Sequence, residues 1–115
     1  MHGENANNLS SRCWIHARNV ADGLLFLFQK AEPAEFYHIV GEEKSVLEMA
    51  EIIMQEMKLR TKINYVNYHL VRPGHDKRYA LSGEKLKQMG WAPPVDLESS
   101  LRKTVRWSLA NPQWL

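Results

Sequence analysis

The sequence predicts a small α/β domain with short strands and about four helices. Three observations carry that expectation. Short stretches rich in aromatic and β-branched residues alternate with stretches whose apolar residues recur at helical spacing. Capping residues and stop glycines stand where the helical stretches begin and end. The 115 residues, 44% hydrophobic and 24% charged, have the composition of a globular chain long enough to bury a core without staples. Connections between the segments are short, so residues 1–115 are expected to form a single domain.

In chain order, residues 1–11 are rich in Gly, Asn and Ser and read as a frayed loop. The stretch Arg12 to Ala17 is short, partly alternating and aromatic, which predicts a strand. Asn19 suits an N-cap, and Asp22 suits the first turn of a helix running from about Val20 to Lys30. The centre of that helix, Leu24 to Phe28, is apolar on every side, so another chain or another domain is expected to cover one face. Glu32 to Glu35 reads as a turn. Phe36 to Val40 reads as a buried strand closed by Gly41. Ser45 and Glu48 form a capping box for a helix with Val46, Met49, Ala50, Ile53 and Met57 on its apolar face. Its methionines are read as core filler.

Lys62 to Tyr68 alternates with period two and predicts a half-exposed strand. Ser82 is expected to cap a short helix that stops at Gly90. Trp91, Pro93 and Pro94 make a stiff connector. Asp96 caps the last helix, with Leu97, Leu101 and Val105 as its core stripe. Asn111 and Pro112 end it, leaving Trp114 and Leu115 as a hydrophobic clasp.

The net charge of +2 permits an anionic ligand but is too small and too dispersed for a nucleic-acid surface. With one cysteine, Cys13, no internal disulfide is possible, and a reducing cytoplasm is the expected compartment. No signal peptide is evident, and no apolar run approaches the roughly 20 residues of a membrane span. The five histidines lack metal-ligand spacing, and no G-x-G-x-x-G or Walker A pattern occurs, so no cofactor or metal site is expected within this chain.

The densest chemistry lies in Arg72-Pro73-Gly74-His75-Asp76-Lys77-Arg78-Tyr79-Ala80-Leu81. Pro73 fixes φ and Gly74 supplies the positive φ of a type II turn, which would bring Arg72 close to His75. Arg72 offers a planar fork suited to phosphate or carboxylate, and His75 a second donor. Asp76 is expected to pair with Lys77 or Arg78, and Tyr79 and Leu81 to lead into packed structure. Arg12 is a further anion-binding candidate and Arg78 a weaker one; two Arg forks suit a diphosphate.

These residues carry a resemblance. Arg72-Pro73-Gly74-His75-Asp76 followed by Arg78-Tyr79-Ala80 resembles the R-P-G-H-D-x-R-Y-A signature of the dTDP-glucose 4,6-dehydratases, which are extended short-chain dehydrogenase/reductases. Arg12-x-Trp14-Ile15-His16 resembles the R-x-W-x-H segment of that family, and Tyr37 to Gly41 its Y-N-I-G-G strand. Met89 to Pro93 resembles its L-G-W-x-P, and Leu101-x-x-Thr104-Val105-x-Trp107 its L-x-x-T-V-x-W. Five motifs agree in order.

The resemblance implies the C-terminal, substrate-binding part of such an enzyme, with a nucleotide-diphosphate sugar as ligand. It assigns diphosphate and nucleotide contacts to Arg12, Arg72 and His75. His38 stands where the family commonly has a ligand-contacting Asn, which leaves GDP-mannose and UDP-sugar relatives open. The NAD-binding glycines and the Y-x-x-x-K pair of the family are absent, so NAD is implied only for a full-length relative. The chain therefore reads as a C-terminal piece, inactive alone, whose partners are a missing Rossmann domain or further copies of itself. The alternative is a free-standing binding or assembly module that keeps the fold without the activity.

Overall fold

The computed structural model describes residues 10–66, 70, 73, 74 and 76–115. Its order is β1 (Ser11–Trp14), α1 (Ala17–Lys30), β2 (Glu42–Ser45), α2 (Val46–Glu56), β3 (Arg78–Tyr79), α3 (Glu84–Gln88) and α4 (Leu97–Ala110), with a 3₁₀ turn at Pro112–Trp114. The sheet order is β2-β1-β3. β1 pairs antiparallel with β2, Arg12 opposite Lys44, and parallel with β3, Arg12 opposite Tyr79. The α/β layout is therefore as expected.

The best-marked helix start is also the best reproduced. Ser45 Oγ accepts from the Glu48 amide while the Glu48 carboxylate accepts from the Ser45 amide, a complete capping box at the start of α2. Asp96 caps α4 through the Ser99 amide at 2.9 Å. Gly90 takes φ of 96° just beyond α3, the left-handed stop that glycine adopts without strain. α2 and α4 pack on each other, burying Met49 and Ile52 from one and Leu97 and Val105 from the other. Arg102 and Arg106 of α4 both reach Glu56 of α2, at 3.2 and 2.6 Å. Leu86 and Trp91 complete the buried apolar set, Leu86 being only 1% exposed.

Several expectations are corrected. α1 starts at Ala17, two residues before Asn19, because the His16 imidazole supplies the cap: its Nδ1 accepts from the Arg18 amide at 3.0 Å. Asn19 is thereby inside the helix and buried. Asp22 lies beyond the first turn, where it accepts from the Trp91 indole N–H at 2.8 Å. One expectation about α1 does hold, that a face is left for something other than this chain to cover: Gly23 is buried against Trp91 and Ile39, while Leu24, Leu25 and Phe28 face outward.

Phe36 to Val40 is not part of the sheet. Both edges of β1 are taken, by β2 and β3, so the strand role falls to the charged Glu42–Ser45 instead. Ile39 and Val40 pack as side chains against the two glycines Gly23 and Gly83. Of the expected Lys62–Tyr68 strand, residues 62–65 belong to no strand and Val66 makes an isolated bridge; Asn67 and Tyr68 lie outside the described residues. The alternation there has no packed face, since only Ile63 among residues 62–66 is half-buried. Ser82 stands one residue before the Gly83 cap of α3, and its hydroxyl accepts from the Glu84 amide at 3.4 Å. Tyr79 and Leu81 are exposed, so β3 does not lead directly into the core. Trp114 and Leu115 are exposed as well and clasp nothing.

Candidate functional site

β1 is the central strand, which places Arg12 between both neighbours. Its guanidinium lies across the chain that leads into β3, donating to the Asp76 carbonyl at 2.7 Å and to the Lys77 carbonyl at 3.2 Å. It also donates to the Ser11 carbonyl at 2.6 Å. The Ser11 amide donates to Lys77 O at 3.1 Å, so side chain and main chain both hold Lys77. These residues follow directly on Arg72-Pro73-Gly74-His75. Pro73 and Gly74 form a turn in which Gly74 has φ of 80°, the value required at the third position of a type II turn.

Arg78 does not offer the free fork that the sequence suggested. Its Nε and Nη2 donate to the two oxygens of Glu43 at 2.6 and 2.7 Å, and Ser11 Oγ adds a third donor at 2.7 Å. The hydrogen bond from Arg78, followed by that from Ser11, lowers the Glu43 carboxyl from 4.5 to about 2. Arg78 is thus paired with Glu43 rather than with Asp76, and β2 and β3 are cross-linked over β1. Glu43 and Ser11 were not singled out from sequence; the available signal was the doublet Glu42-Glu43, two acids entering a strand beside a cationic loop.

An open cleft of about 340 Å³ adjoins this pair, lined by Cys13, Glu43, Ser82, Lys87 and Trp91 among others. A larger hollow of about 640 Å³ lies at the end of α2 and is lined only by residues between 51 and 61, none of them a candidate. His38 is exposed within the unpaired 36–40 segment. Arg72 and His75 lie outside the described residues. The structure therefore joins Arg12 to the chain that follows the Arg72–His75 motif and pairs Arg78 with Glu43. Among the described residues, no group of three His, Cys, Asp or Glu side chains is gathered for a metal ion.

A sequence profile of the family described as GDP-mannose 4,6 dehydratase matches residues 4–104. The chain belongs to this family. Similar proteins include dTDP-glucose 4,6-dehydratase 1 of Escherichia coli strain K12, 35% identical over a match that covers 90% of this chain and 31% of that protein. Among solved structures, dTDP-glucose 4,6-dehydratase from Bacillus anthracis in complex with NAD superposes with a TM-score of 0.81 at 32% identity, over 99% of this chain and 35% of that one. The dTDP-glucose 4,6-dehydratase of Streptomyces venezuelae with NAD and TYD bound gives 0.79 at 28% identity, over 98% and 34%. The chain thus spans about a third of the length of the proteins it matches, and its small α/β fold is that of the corresponding part of these extended short-chain dehydrogenase/reductases.

Proposed function

We propose that this chain is the nucleotide-diphosphate-sugar-binding part of a 4,6-dehydratase or epimerase, that it acts in the cytoplasm with an NAD-binding domain outside these 115 residues, and that it is inactive without that domain. Arg12, Arg72, His75 and His38 are the proposed ligand contacts. The observation that carries the reading is the anchoring of Arg12 on Asp76 and Lys77, beside an R-P-G-H motif, in a fold that superposes on a dehydratase solved with NAD and TYD. Backbone carbonyls of Ser11, Asp76 and Lys77 already hold the Arg12 guanidinium in place, so it loses little further freedom when a diphosphate binds beside it. The family description names GDP-mannose and the relatives above dTDP-glucose, so the base is left to experiment.

Titration of the isolated chain with dTDP, UDP and GDP tests the reading. Weak binding to one of them is expected, falling as salt rises because the contacts are charged. Amide shifts confined to regions away from residues 12, 38 and 72–78 would refute the site. Saturable NAD binding or dehydratase turnover by the pure chain would refute its dependence on another domain.

A second reading, an assembly module that pairs with its own kind, is favoured by the exposed row of Leu24, Leu25 and Phe28 on α1 with Phe36 beyond it. The two readings are compatible, and we propose a homodimer through this face.

A further inference from the structure

Residues 35–40 lie between α1 and β2 and belong to no strand, so their place depends on side-chain contacts. One end of the segment rests on glycines. Ile39 packs against Gly23 and Val40 against Gly83, and a Cβ added to those glycines would stand 3.2 and 3.3 Å from them. The other end converges on Lys85 of α3. Its Nζ donates to Glu35 Oε2 at 2.7 Å and to the Phe36 carbonyl at 2.8 Å, and it stands 4.3 Å from the centre of the Tyr37 ring. One ammonium thus meets three successive residues. The Tyr37 hydroxyl in turn accepts from the Glu32 amide at 2.9 Å. Between Glu32 and Glu35, Ala34 has φ of 59°, a left-handed conformation that is unfavourable for a residue with a Cβ and persists where its surroundings fix it. An exposed Lys–Glu pair alone fixes little. The carbonyl and the aromatic face give the same ammonium two further anchors.

We propose that Lys85 is a positioning residue: it clamps residues 35–37 and, with the Ile39 and Val40 contacts, holds the exposed His38 between two fixed ends. The inference rests on the sugar-nucleotide reading, in which His38 is a ligand contact. A segment fixed beforehand loses little freedom when ligand binds. A segment that wanders binds only while His38 is in place, and the apparent affinity falls by that fraction. Lys85 acts on the ligand through His38 and not by touching it.

NMR relaxation and calorimetry on the 115-residue chain test this. Lys85→Met removes the charge and the donors but keeps a good helix former at an exposed position. The backbone order parameters of residues 35–38 should fall in this variant from about 0.85 toward 0.6. Lys85→Arg, which keeps charge and donors, should hold them near the wild-type values. With whichever of dTDP, UDP and GDP binds the wild-type chain, Lys85→Met should weaken binding about threefold to tenfold, the cost of immobilising one further side chain. The decisive comparison is the His38→Ala background, where Lys85→Met should have no further effect; a general loss of structure would weaken binding in both backgrounds. Unchanged order parameters in Lys85→Met overturn the clamp, and an equal loss of affinity in both backgrounds overturns its action through His38. If none of the three nucleotides binds the wild type, the sugar-nucleotide reading fails, and the order parameters still decide the clamp. Should Lys85→Met fail to fold, Glu35→Ala removes the charged contact without touching α3 and should lower the same order parameters; no change there overturns the clamp.

Discussion

Glu43 holds Arg78 at both ends of its carboxylate, Oε1 to Nε at 2.6 Å and Oε2 to Nη2 at 2.7 Å, so the two outer strands are joined across the central one. A parallel pair of charge-assisted bonds fixes direction as well as distance. β3 is only two residues long and exposed, and this pair supplements a very short ladder.

The pair gives the sheet a pH dependence. Folding lowers the Glu43 carboxyl from 4.5 to about 2, chiefly through the Arg78 hydrogen bond. A carboxyl with a depressed folded value contributes stability that is fully present above the unfolded value and is lost as pH falls through the folded one. Glu43→Gln should therefore lower Tm at neutral pH, and its deficit against wild type should shrink between pH 4.5 and about 2. The pair is open to solvent, so added salt should shrink the deficit too. A deficit constant across that range would show that Glu43 acts by shape alone.

Asp22 and Trp91 give a prediction about the core. The Trp91 ring is 7% exposed and its N–H is answered by the Asp22 carboxylate. Asp22→Ala leaves that donor buried without this acceptor, which costs about 1–3 kcal/mol. Urea denaturation followed by Trp fluorescence measures the loss. A change below about 0.5 kcal/mol would mean that another acceptor or a solvent path takes over, as for an ordinary surface substitution.

Where the sequence was legible, the signal was local. The Ser45–Glu48 box, the Asp96 cap and the Gly90 stop depend on residues three or four apart, and each stands as expected. Strand assignment depends on partners far away in the chain: the strand expected from Arg12 is present as β1, but the apolar Phe36 to Val40 run lies outside the sheet while the charged Glu42–Ser45 pairs with β1. Asn19 misled because its cap propensity is real, but a neighbouring imidazole took the role and the amide found Val95, 76 residues on. Within the candidate site, Arg12 stood out by its side-chain chemistry, but its anchoring on the Asp76 and Lys77 carbonyls did not, since those lie 64 and 65 residues away. The neutralising of Arg78 was not, since its partner is 35 residues away.

Gly41 is a contact that composition alone cannot reveal. A Cβ there would stand 1.8 Å from the Trp14 carbonyl oxygen and 2.8 Å from Ile15 Cβ. The obstacle is backbone in the central strand, which cannot turn aside as a flexible side chain would. Gly41→Ala should destabilise by at least the ~1–3 kcal/mol usual for overpacking, and the loss should appear as faster amide exchange along β1 and β2. Gly90→Ala serves as a contrast: nothing lies within 4 Å of its Cβ, and only the positive φ is penalised. Equal stability of Gly41→Ala and wild type would contradict the close approach.

The proposed ligand site predicts a graded response. Arg72→Ala should weaken nucleoside diphosphate binding by roughly 1.5–3 kcal/mol, the range for a hydrogen bond to a charged group. Arg12→Ala should weaken it and also loosen the loop, because the same guanidinium holds the Asp76 and Lys77 carbonyls. Calorimetry gives the affinities, and amide exchange at Ser11, whose N–H donates to Lys77 O, reports the loop. Unchanged affinity in Arg72→Ala would remove that residue from the site.

The proposed homodimer makes the last prediction. Leu25 is 65% exposed and Phe28 is 89% exposed, and with Leu24 they fall at helical positions that share one face of α1. Phe36, also 89% exposed, lies beyond the helix end. The C-terminal residues do not cover this row, since Trp114 remains 73% exposed. Large apolar side chains gathered in this way are rare on soluble monomers. A second copy brings the same face, which suits a two-fold contact. Sedimentation equilibrium over a wide concentration range should therefore show self-association. The double variant Leu25→Glu, Phe28→Glu should sediment as a monomer with unchanged helix content, because both positions face outward and Glu is a good helix former. A wild-type chain that stays monomeric at high concentration defeats the dimer. A double variant that associates as strongly as wild type moves the contact elsewhere.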